Sequence, residues 1–354
     1  MHRVINYGSF LQAYALKQLL LQNGADEVSF IDIKPGRQLP GFETEAPRKR
    51  YMRIFKDILN GRLLRKIRNR KHQDKVRQCI ESHFHLLGID EEGMQYDLAV
   101  IGSDEVFNCC QKSKWGYTRQ LYGDIPQAKR VISYAGSFGH TQYEQLTERN
   151  IDREIGETMK RLAAISVRDD NSFDIVKRLT GIEPSIHLDP VLAYGYCEEI
   201  EQAVLPEDRD YIVVYAYPER ICDDREISVI CDFARKRNKK LYSFTYYSWC
   251  EKTIVPSSPF EVLSWFKGAD FVITDTFHGT IFSVITRRQF VTLIRPSNKN
   301  KIGSLLATLG LSDRGVFSPE DIARTSISPI NYVSADTILD ARCQQTKEYL
   351  RMCI

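Results

Sequence analysis

The sequence predicts an α/β protein built from two doubly wound halves, each with a parallel sheet. Its 354 residues are about twice the length of a typical domain. Short apolar strands alternate with polar turns and amphipathic helices along most of the chain, an order typical of parallel sheets. An acidic, irregular stretch over 195–209 separates the halves. We therefore predict one domain over 1–194 and a second over 195–354.

The first half opens with a helix predicted over 9–23, where apolar residues recur at three-to-four spacing before Gly24. Further helices are predicted over 144–162 and 171–179. The predicted strands cover 28–33, 98–101, 130–134 and 164–167.

The second half repeats the rhythm. Its predicted strands cover 211–217, 240–245, 271–274 and 290–293, and its predicted helices cover 224–237, 259–267 and 278–285. Ser258 is expected to cap the helix over 259–267. Open α/β sheets bind ligands at the carboxyl ends of their strands, so polar residues that directly follow strands are the candidates for chemistry.

A local run of positive charge stands out against a net charge of only +3. Residues 48–77 carry 13 Lys and Arg against 2 Asp and Glu. Apolar residues keep a helical period through this run, which predicts a basic amphipathic helical segment. It is either a solvated face, or it contacts an anionic membrane or a lipid-linked pyrophosphate. No DNA- or RNA-reading motif accompanies it, and we expect no nucleic-acid binding.

Cysteine and histidine usage gives no sign of disulfides or of a metal site. The 9 cysteines form no CxxC pair, and the 7 histidines show no metal-ligand spacing. No stretch is long and apolar enough to span a membrane, and the first residues do not resemble a signal peptide. We expect a reduced cytoplasmic protein without a metal ion, whose peripheral contact with the inner face of the membrane, if any, runs through 48–77.

The sharpest candidate site is the segment 273–280, where an apolar strand passes through a polar turn directly into an apolar helix. Thr276 or Asp275 can cap that helix, which leaves its first N–H groups to bind an anion. Gly279 lets a ligand approach the backbone, and His278 can bind the anion or transfer a proton near neutral pH. The alternative is an ordinary capping turn with an incidental histidine.

Other polar groups stand at strand and helix ends. Arg168 follows a predicted strand and suits bidentate binding of carboxylate or phosphate, unless it only pairs with a neighbouring aspartate. Asp104 follows another strand and is a candidate general base, or else a capping residue. The turn over 6–9 offers a second glycine-containing helix start, a weaker candidate for a phosphate site.

Seven segments, taken in order, resemble the polysaccharide pyruvyl transferase family. The first four are NYGSFLQAYAL over 6–16, IGSDEVFN over 101–108, SYAGSFG over 133–139 and SVRD over 166–169. The last three are LDPVL over 188–192, TDTFHGTIFS over 274–283 and LGLSDR over 309–314. The resemblance spans nearly the whole chain, and the order of the seven is more specific than any one of them.

The resemblance implies two Rossmann-like domains that face each other across a cleft, as in GT-B glycosyltransferases. It implies transfer of pyruvate from phosphoenolpyruvate to two hydroxyls of a sugar or lipid-linked glycan in a surface-polysaccharide precursor, forming a ketal without a cofactor. By position, Arg168 and His278 match family residues that hold and activate the donor, and Asp104 is the third catalytic candidate. The expected substrate-binding residues are Asn6, Tyr7, Gly8, Gln12, Ser103, Thr276, Gly279 and Thr280.

The chain departs from the family pattern in several places. Glu105, Phe107 and Thr276 stand where Gln, Trp and Ser are usual. Thr276 keeps the hydroxyl, whereas Glu105 adds a negative charge beside Asp104 that can raise a carboxyl pKa or alter the acceptor. An apolar strand usually precedes the NYG segment, and only residues 1–5 stand there. We therefore expect the first domain to lack that strand.

Two rival functions stay open at this point. One is a nucleotide-sugar glycosyltransferase on the same scaffold, with His278 and its helix N-terminus binding a diphosphate. The other is a non-catalytic binding protein descended from the family. Fold does not separate these possibilities, because function depends on the site.

Overall fold

Two parallel sheets form the framework of the protein. The computed structural model describes residues 3–42, 63–88 and 94–354. The first sheet has the strand order β1-β2-β3-β4, and every pairing in it is parallel. Its strands are β1 (Tyr96–Asp104), β2 (Ala128–Gly136), β3 (Ser166–Val167) and β4 (Ser185–Ile186).

The second sheet has the strand order β10-β9-β8-β5-β6-β7 and is also parallel throughout. Its strands are β5 (Tyr211–Tyr215), β6 (Lys240–Ser243), β7 (Lys252–Thr253), β8 (Phe271–Thr274), β9 (Phe290–Leu293) and β10 (Gly315–Val316). After β5 the chain adds β6 and β7 on one side of β5, and it then returns to add β8, β9 and β10 on the other side. The winding therefore reverses between β5 and β8, the place where open α/β sheets bind ligands.

Helices connect the strands in both halves. Those before β5 are α1 (Tyr7–Gln22), α2 (Leu63–Glu81), α3 (Tyr143–Thr147), α4 (Asp152–Met159), α5 (Asp170–Thr180), α6 (Pro190–Tyr194) and α7 (Cys197–Glu201). Those after it are α8 (Asp224–Lys236), α9 (Glu261–Gly268), α10 (Phe277–Ile285), α11 (Lys299–Thr308), α12 (Asp321–Thr325) and α13 (Tyr332–Cys353). The chain is thus an α/β protein with two Rossmann-like halves in a GT-B-like arrangement, as predicted.

Two predicted elements differ from the structure. The helix predicted over 144–162 is divided into α3 and α4, because Asn150 takes a left-handed φ of 53° that interrupts the helix. The strand predicted over 28–33 is extended chain with one bridge residue, Phe30, whose N–H donates to the Gly88 carbonyl at 2.8 Å. Alternating apolar residues thus indicated extended backbone but not its pairing.

The helix cap predicted at Ser258 is wrong. Its Oγ accepts the N–H of Phe260 at 3.2 Å, and its carbonyl accepts the N–H of Glu261 at 3.1 Å. Ser258 therefore closes a tight turn before α9 instead of capping its first turn.

The last helix returns to the first half. Tyr332, at the start of α13, donates its hydroxyl to the Arg288 carbonyl beside the second sheet. At the other end, the Tyr349 hydroxyl donates to the Ser133 carbonyl at 2.7 Å, and its ring centre lies 4.5 Å from that of His187. The halves are therefore joined both through 195–209 and through α13. The domain boundary between residues 194 and 195 stays a prediction.

A single main core runs through both halves. It includes Leu11 of α1, Tyr134 of β2, Val213 of β5, Phe282 of α10 and Leu350 of α13, each at most 1% exposed. Separate cores fill the outer faces of the two sheets. Because the main core is continuous, burial of apolar surface holds the halves together.

Helix α2 is the described part of the predicted basic segment, and 48–62 lies outside the described residues. The apolar face of α2 packs into the main core. His72 Nε2 lies 2.7 Å from the Phe244 carbonyl, and Arg68 Nη1 donates to the Tyr246 hydroxyl at 2.5 Å. These contacts place α2 beside the loop that follows β6, at the carboxyl end of the second sheet.

Strand β1 is the terminal strand of the described first sheet, and a cavity lies beside it. The cavity measures about 620 Å³ and is enclosed by β1, α1 and the extended chain over 25–33. Apolar side chains form much of its wall, among them Leu16, Leu20, Ile31, Leu98, Val100 and Ile125. A strand paired with β1 would lie in this cavity.

Adding a strand beside β1 should stabilise the protein. A fusion that places five Val and Ile residues and a short turn ahead of Met1 supplies about 17 Å of extended chain. Pairing with β1 would bury apolar surface worth about 25 cal/mol per Å². We expect a higher urea midpoint and slower hydrogen exchange at β1 amides. A matched fusion with a proline in the middle of the added strand lacks a backbone N–H needed to pair with β1. It should neither raise the urea midpoint nor slow the exchange of β1 amides. Equal behaviour of the two fusions would contradict this prediction.

Candidate functional site

The predicted catalytic residues converge where the carboxyl ends of the two sheets meet. Asp104 ends β1, Arg168 directly follows β3, and His278 lies in the first turn of α10 after β8. The Arg168 guanidinium carbon lies 4.1 Å from the ring centre of Phe277, which belongs to the other half. The site is therefore assembled from both halves.

A buried ion-pair network holds Arg168 in place. Its Nη2 donates to Asp104 Oδ1 at 2.9 Å, and its Nη1 donates to Asp189 Oδ2 at 3.2 Å. Asp189 also accepts the Gln12 amide at 2.6 Å and caps α6 through the N–H of Val191. The two carboxylates orient the guanidinium and offset the cost of burying its charge.

The neighbouring aspartate that could have occupied Arg168 has another task. Asp169 accepts the Ser172 N–H at 2.8 Å and so caps α5. It also accepts the Ser137 hydroxyl at 2.6 Å. The partners of Arg168 thus come from distant strand ends. Asp189 was missing from the predicted site, although its segment LDPVL is one of the seven that resemble the family.

The charges of this network hold one another ionised. Burial by itself raises the pKa of Asp104, but the charges of Arg168 and Lys301 outweigh it and keep that pKa well below its usual range. Burial lowers the pKa of Arg168, and the two carboxylates outweigh it, so that pKa is raised. The expectation that a carboxyl pKa beside Glu105 rises is thus wrong for Asp104. While it is paired with Arg168, Asp104 is a poor base.

Lys301 is a site residue that the sequence did not reveal. It lies on α11, and its Nζ donates to Glu105 Oε1 at 2.8 Å across the interface between the halves. Burial lowers its pKa, but Glu105 and Asp104 outweigh burial and raise it above the ordinary value. Nothing in the local sequence sets Lys301 apart from its neighbour Lys299, so only the folded structure identifies it.

His278 lies between the N-termini of two helices. It belongs to the first turn of α10, and a Cβ built on Gly8, in the first turn of α1, would come within 2.5 Å of its ring. This close approach requires glycine at position 8. The ring is 6% exposed, and its Nε2 has no hydrogen-bond partner within the described chain. Burial lowers the pKa of His278 against the opposing charges of Asp189 and Asp104, so the imidazole is neutral near pH 7.

Thr276 caps α10, one of the two predicted alternatives. Its Oγ1 accepts the Gly279 N–H at 2.9 Å, and its carbonyl accepts the Thr280 N–H at 3.1 Å. Thr276 thus already accepts from the N–H groups of Gly279 and Thr280, and a binding role for these two residues stays a prediction. The donors without an intrahelical acceptor are the N–H groups of Phe277 and His278.

Two of the other predicted binding residues reach the ion-pair network. Gln12 is 5% exposed and touches it through Asp189. Ser103 precedes Asp104 at the end of β1, and its buried Oγ has no hydrogen-bond partner in the described structure. A binding role for these residues stays a prediction.

The remaining predicted residues have tasks within the fold. Asn6 caps α1 by accepting the Ser9 N–H at 2.8 Å. The Tyr7 ring packs edge-on against Phe244, and burial raises its pKa well above the ordinary value. The Thr280 hydroxyl bonds the carbonyl that also accepts its N–H. These contacts give Asn6 and Thr280 a structural role, whereas the buried Tyr7 hydroxyl has no hydrogen-bond partner among the described residues. Binding roles for the three stay predictions.

Gly279 also has a packing reason to be glycine. A Cβ there would lie 2.2 Å from the Thr274 hydroxyl oxygen. The predicted reason was close approach of a ligand. The structure shows instead close approach of the preceding strand end.

Three further observations bear on the chemistry. All nine cysteines are free thiols. Across 3–42, 63–88 and 94–354, no three His, Cys, Asp or Glu side chains are placed to share a metal ion. In the same ranges, no helix has the length and apolar character needed to cross a bilayer.

The family model of polysaccharide pyruvyl transferase matches residues 6–298, which is most of the chain. The match includes Asp104, Arg168 and His278 and ends before Lys301. The chain belongs to this family. It is therefore a transferase that acts in polysaccharide pyruvylation.

Two solved structures align with much of this pyruvyl transferase at low sequence identity and low structural similarity. The UDP-GlcNAc 2-epimerase of Methanocaldococcus jannaschii is 13% identical, with a TM-score of 0.41 over 76% of this chain and 81% of that chain. The wall teichoic acid polymerase TagF is 11% identical, with a TM-score of 0.34 over 85% and 98%. No curated protein matches significantly.

Replacing Arg168 by Gln should destabilise the protein more at neutral than at acidic pH. Removing one partner of a buried ion pair costs about 3–5 kcal/mol, because a carboxylate stays buried without its cation. Wild-type Asp104 has a lowered pKa, so it contributes stability above its ordinary pKa of about 3.9 and loses it as pH falls. Without Arg168, burial raises that pKa and the carboxyl takes up a proton in mild acid. The deficit measured by urea unfolding should thus shrink between about pH 7 and pH 4.5.

The double variant Arg168→Gln with Asp104→Asn provides the control. It removes one of the two carboxylates that lose their cation, so it should be more stable at neutral pH than Arg168→Gln alone, although Asp189 stays buried without its partner. A deficit that is the same at both pH values, or no recovery in the double variant, would contradict the electrostatic account of this network.

Proposed function

We propose that this transferase moves pyruvate from phosphoenolpyruvate to two hydroxyls of a sugar in a surface-polysaccharide precursor, on the cytoplasmic side of the membrane. One observation carries the proposal. A buried site between the halves holds a guanidinium, an ammonium and a neutral imidazole, from Arg168, Lys301 and His278. These are the groups needed to bind a carboxylate and a phosphate and to move one proton.

Donor binding requires an exchange of ion-pair partners. Arg168 and Lys301 are paired with the carboxylates of Asp104, Asp189 and Glu105. We infer that the donor anion displaces Asp104, because its side chain is 25% exposed, against 0% for Asp189 and 17% for Glu105. The released Asp104 no longer has the cation that keeps its pKa low, and it then becomes able to accept a proton.

His278 is the proposed proton carrier. Its imidazole is neutral in the free protein, and its Nε2 has no partner in the described structure. A donor anion placed beside it favours the protonated form and raises its pKa. The N–H groups of Phe277 and His278 lie in the same helix turn and are proposed to bind the donor phosphate.

The chemistry then balances without an oxidant or a metal. His278 gives a proton to the methylene carbon of the donor, which makes C2 electrophilic. One sugar hydroxyl forms a bond to C2 and loses its proton to Asp104. The C2–O bond to phosphate breaks, the second hydroxyl closes the ketal, and its proton leaves with phosphate. Of the two hydroxyl protons, one replaces the proton delivered to the methyl group and the other is carried by the product phosphate.

Donor binding should take up a proton through His278. Calorimetry with phosphoenolpyruvate in two buffers of different ionisation enthalpy should show uptake near pH 7.5 in the wild type and none in His278→Gln. The Gln variant should still bind the donor, because the backbone donors and both cations remain. Its phosphate release with a glycan acceptor should fall about 10²- to 10⁴-fold, the contribution typical of a general acid. Wild-type turnover in His278→Gln would remove His278 from catalysis.

The same titrations separate the rival functions. Failure of the wild type to bind phosphoenolpyruvate, together with binding of a nucleoside diphosphate, would favour a nucleotide-sugar transferase. Donor binding without phosphate release on any acceptor would favour a non-catalytic descendant of the family.

We also propose that the acceptor is carried at an anionic membrane that α2 contacts. Arg70, Lys71 and Lys75 are exposed on α2 and have no ion-pair partner among the described residues. Arg68, on the same helix, bonds the hydroxyl of Tyr246 in the loop after β6, so α2 lies beside the carboxyl ends of the second sheet. A membrane surface touching α2 would hold a lipid-linked glycan close to the site.

Replacing Arg70, Lys71 and Lys75 by Gln should weaken binding to anionic liposomes. Each cation near such a surface contributes on the order of 1 kcal/mol, so the triple variant should bind at least tenfold more weakly at low salt. Replacing Lys160, Arg161 and Lys236, which are exposed elsewhere, gives the same change in charge and should have little effect. If both triple variants sediment alike with liposomes, α2 is an ordinary solvated face.

A further inference from the structure

A second cleft opens beside the buried cations, on the side of α5 and α11. It measures about 660 Å³, and its walls come from both halves of the protein. The first turn of α5, with Asp170 and Asn171, forms one wall, and Lys299, Asn300 and Ser304 of α11 form the other. We call this cleft the α5–α11 groove.

The groove leads directly to the proposed donor site. On one wall, Asp169 is adjacent in the chain to Arg168, and on the other, Asn300 is adjacent to Lys301. Ser304 lines both the groove and the small gap that contains Arg168 and Lys301. Ser304 therefore separates the groove from the gap that contains the two cations.

The chemistry of the walls fits an uncharged polyol. Asp170 offers carboxylate acceptors, Lys299 offers donors, and Asn300 offers both, and all three are exposed. The ring of Phe317, which is 73% exposed, also lines the groove, and Ile294, Leu306 and Ala307 add further apolar surface. A sugar ring has hydroxyls around its edge and C–H groups on its faces, which match these two surfaces.

A glycine keeps the floor of the groove open. Gly303 lies inside α11, where glycine costs about 0.5–1 kcal/mol of stability relative to alanine. A Cβ built on Gly303 would meet nothing within 4 Å, so no packing contact requires glycine there. Any side chain at this position would instead project into the groove.

We propose that the α5–α11 groove binds the sugar unit of the acceptor that receives pyruvate, with the sugar face on Phe317 and its hydroxyls between α5 and α11. This inference rests on the proposed function for the identity of the substrate, but the binding of a sugar can be measured without turnover.

The test introduces side chains at Gly303 and measures sugar binding. Methyl glycosides of the common hexoses and N-acetylhexosamines are the probes, each at about 0.1 M, well above a millimolar Kd. Saturation-transfer NMR reports binding, and calorimetry reports phosphoenolpyruvate affinity. Gly303→Ala should keep or raise the melting temperature, and Gly303→Leu should weaken glycoside binding at least tenfold. Phe317→Ala should also weaken it.

The control is Ala341→Leu, which adds the same side chain at an exposed position of α13. It should bind glycosides as the wild type does, and none of the three groove variants should change donor affinity more than about twofold. Glycoside binding that is equal in Gly303→Leu and the wild type would overturn the proposal, as would no binding of any glycoside by the wild type. If the wild type does not bind phosphoenolpyruvate, that result would instead overturn the proposed function.

Discussion

The pairing of Arg168 with two carboxylates is the interaction on which the site depends. Its two terminal nitrogens bind Asp104 at the end of β1 and Asp189 after β4, and its flat face lies on Phe277 of the other half. One guanidinium thus contacts the end of β1, the segment after β4 and the start of α10. Buried charges of this kind are stable only when every partner is present. The network is therefore complete in itself, and in the proposed reaction the donor replaces part of it.

Much of this framework follows from the sequence. Strands β8 and β9 were predicted residue for residue, because each is a short apolar run between polar turns. Polar residues after strands identified Asp104, Arg168 and His278, since parallel strands bring their carboxyl ends to one edge. Lys301 and its partner Glu105 could not be identified in that way. They meet only because the two halves face each other, and a contact between halves leaves no periodic pattern in either.

Where the predictions failed, local hydrogen bonding competed with the expected role. The Thr276 hydroxyl caps its own helix by accepting the Gly279 N–H, and the Thr276 carbonyl accepts the Thr280 N–H. Asn150 ends a helix that apolar periodicity had continued, since amide side chains tolerate left-handed backbone. Such hydrogen bonds and backbone conformations depend on single residues, and hydrophobic patterns read over ten or more residues do not show them.

The return of α13 to the first half limits how the protein can open. Its start is bonded to the second half through Tyr332 and its end to the first half through Tyr349. The chain also passes between the halves through 195–209. Helix α13 packs against α6, which directly precedes that connection, so the two crossings lie side by side. Any relative motion of the halves must therefore bend both crossings at one edge or detach the end of α13.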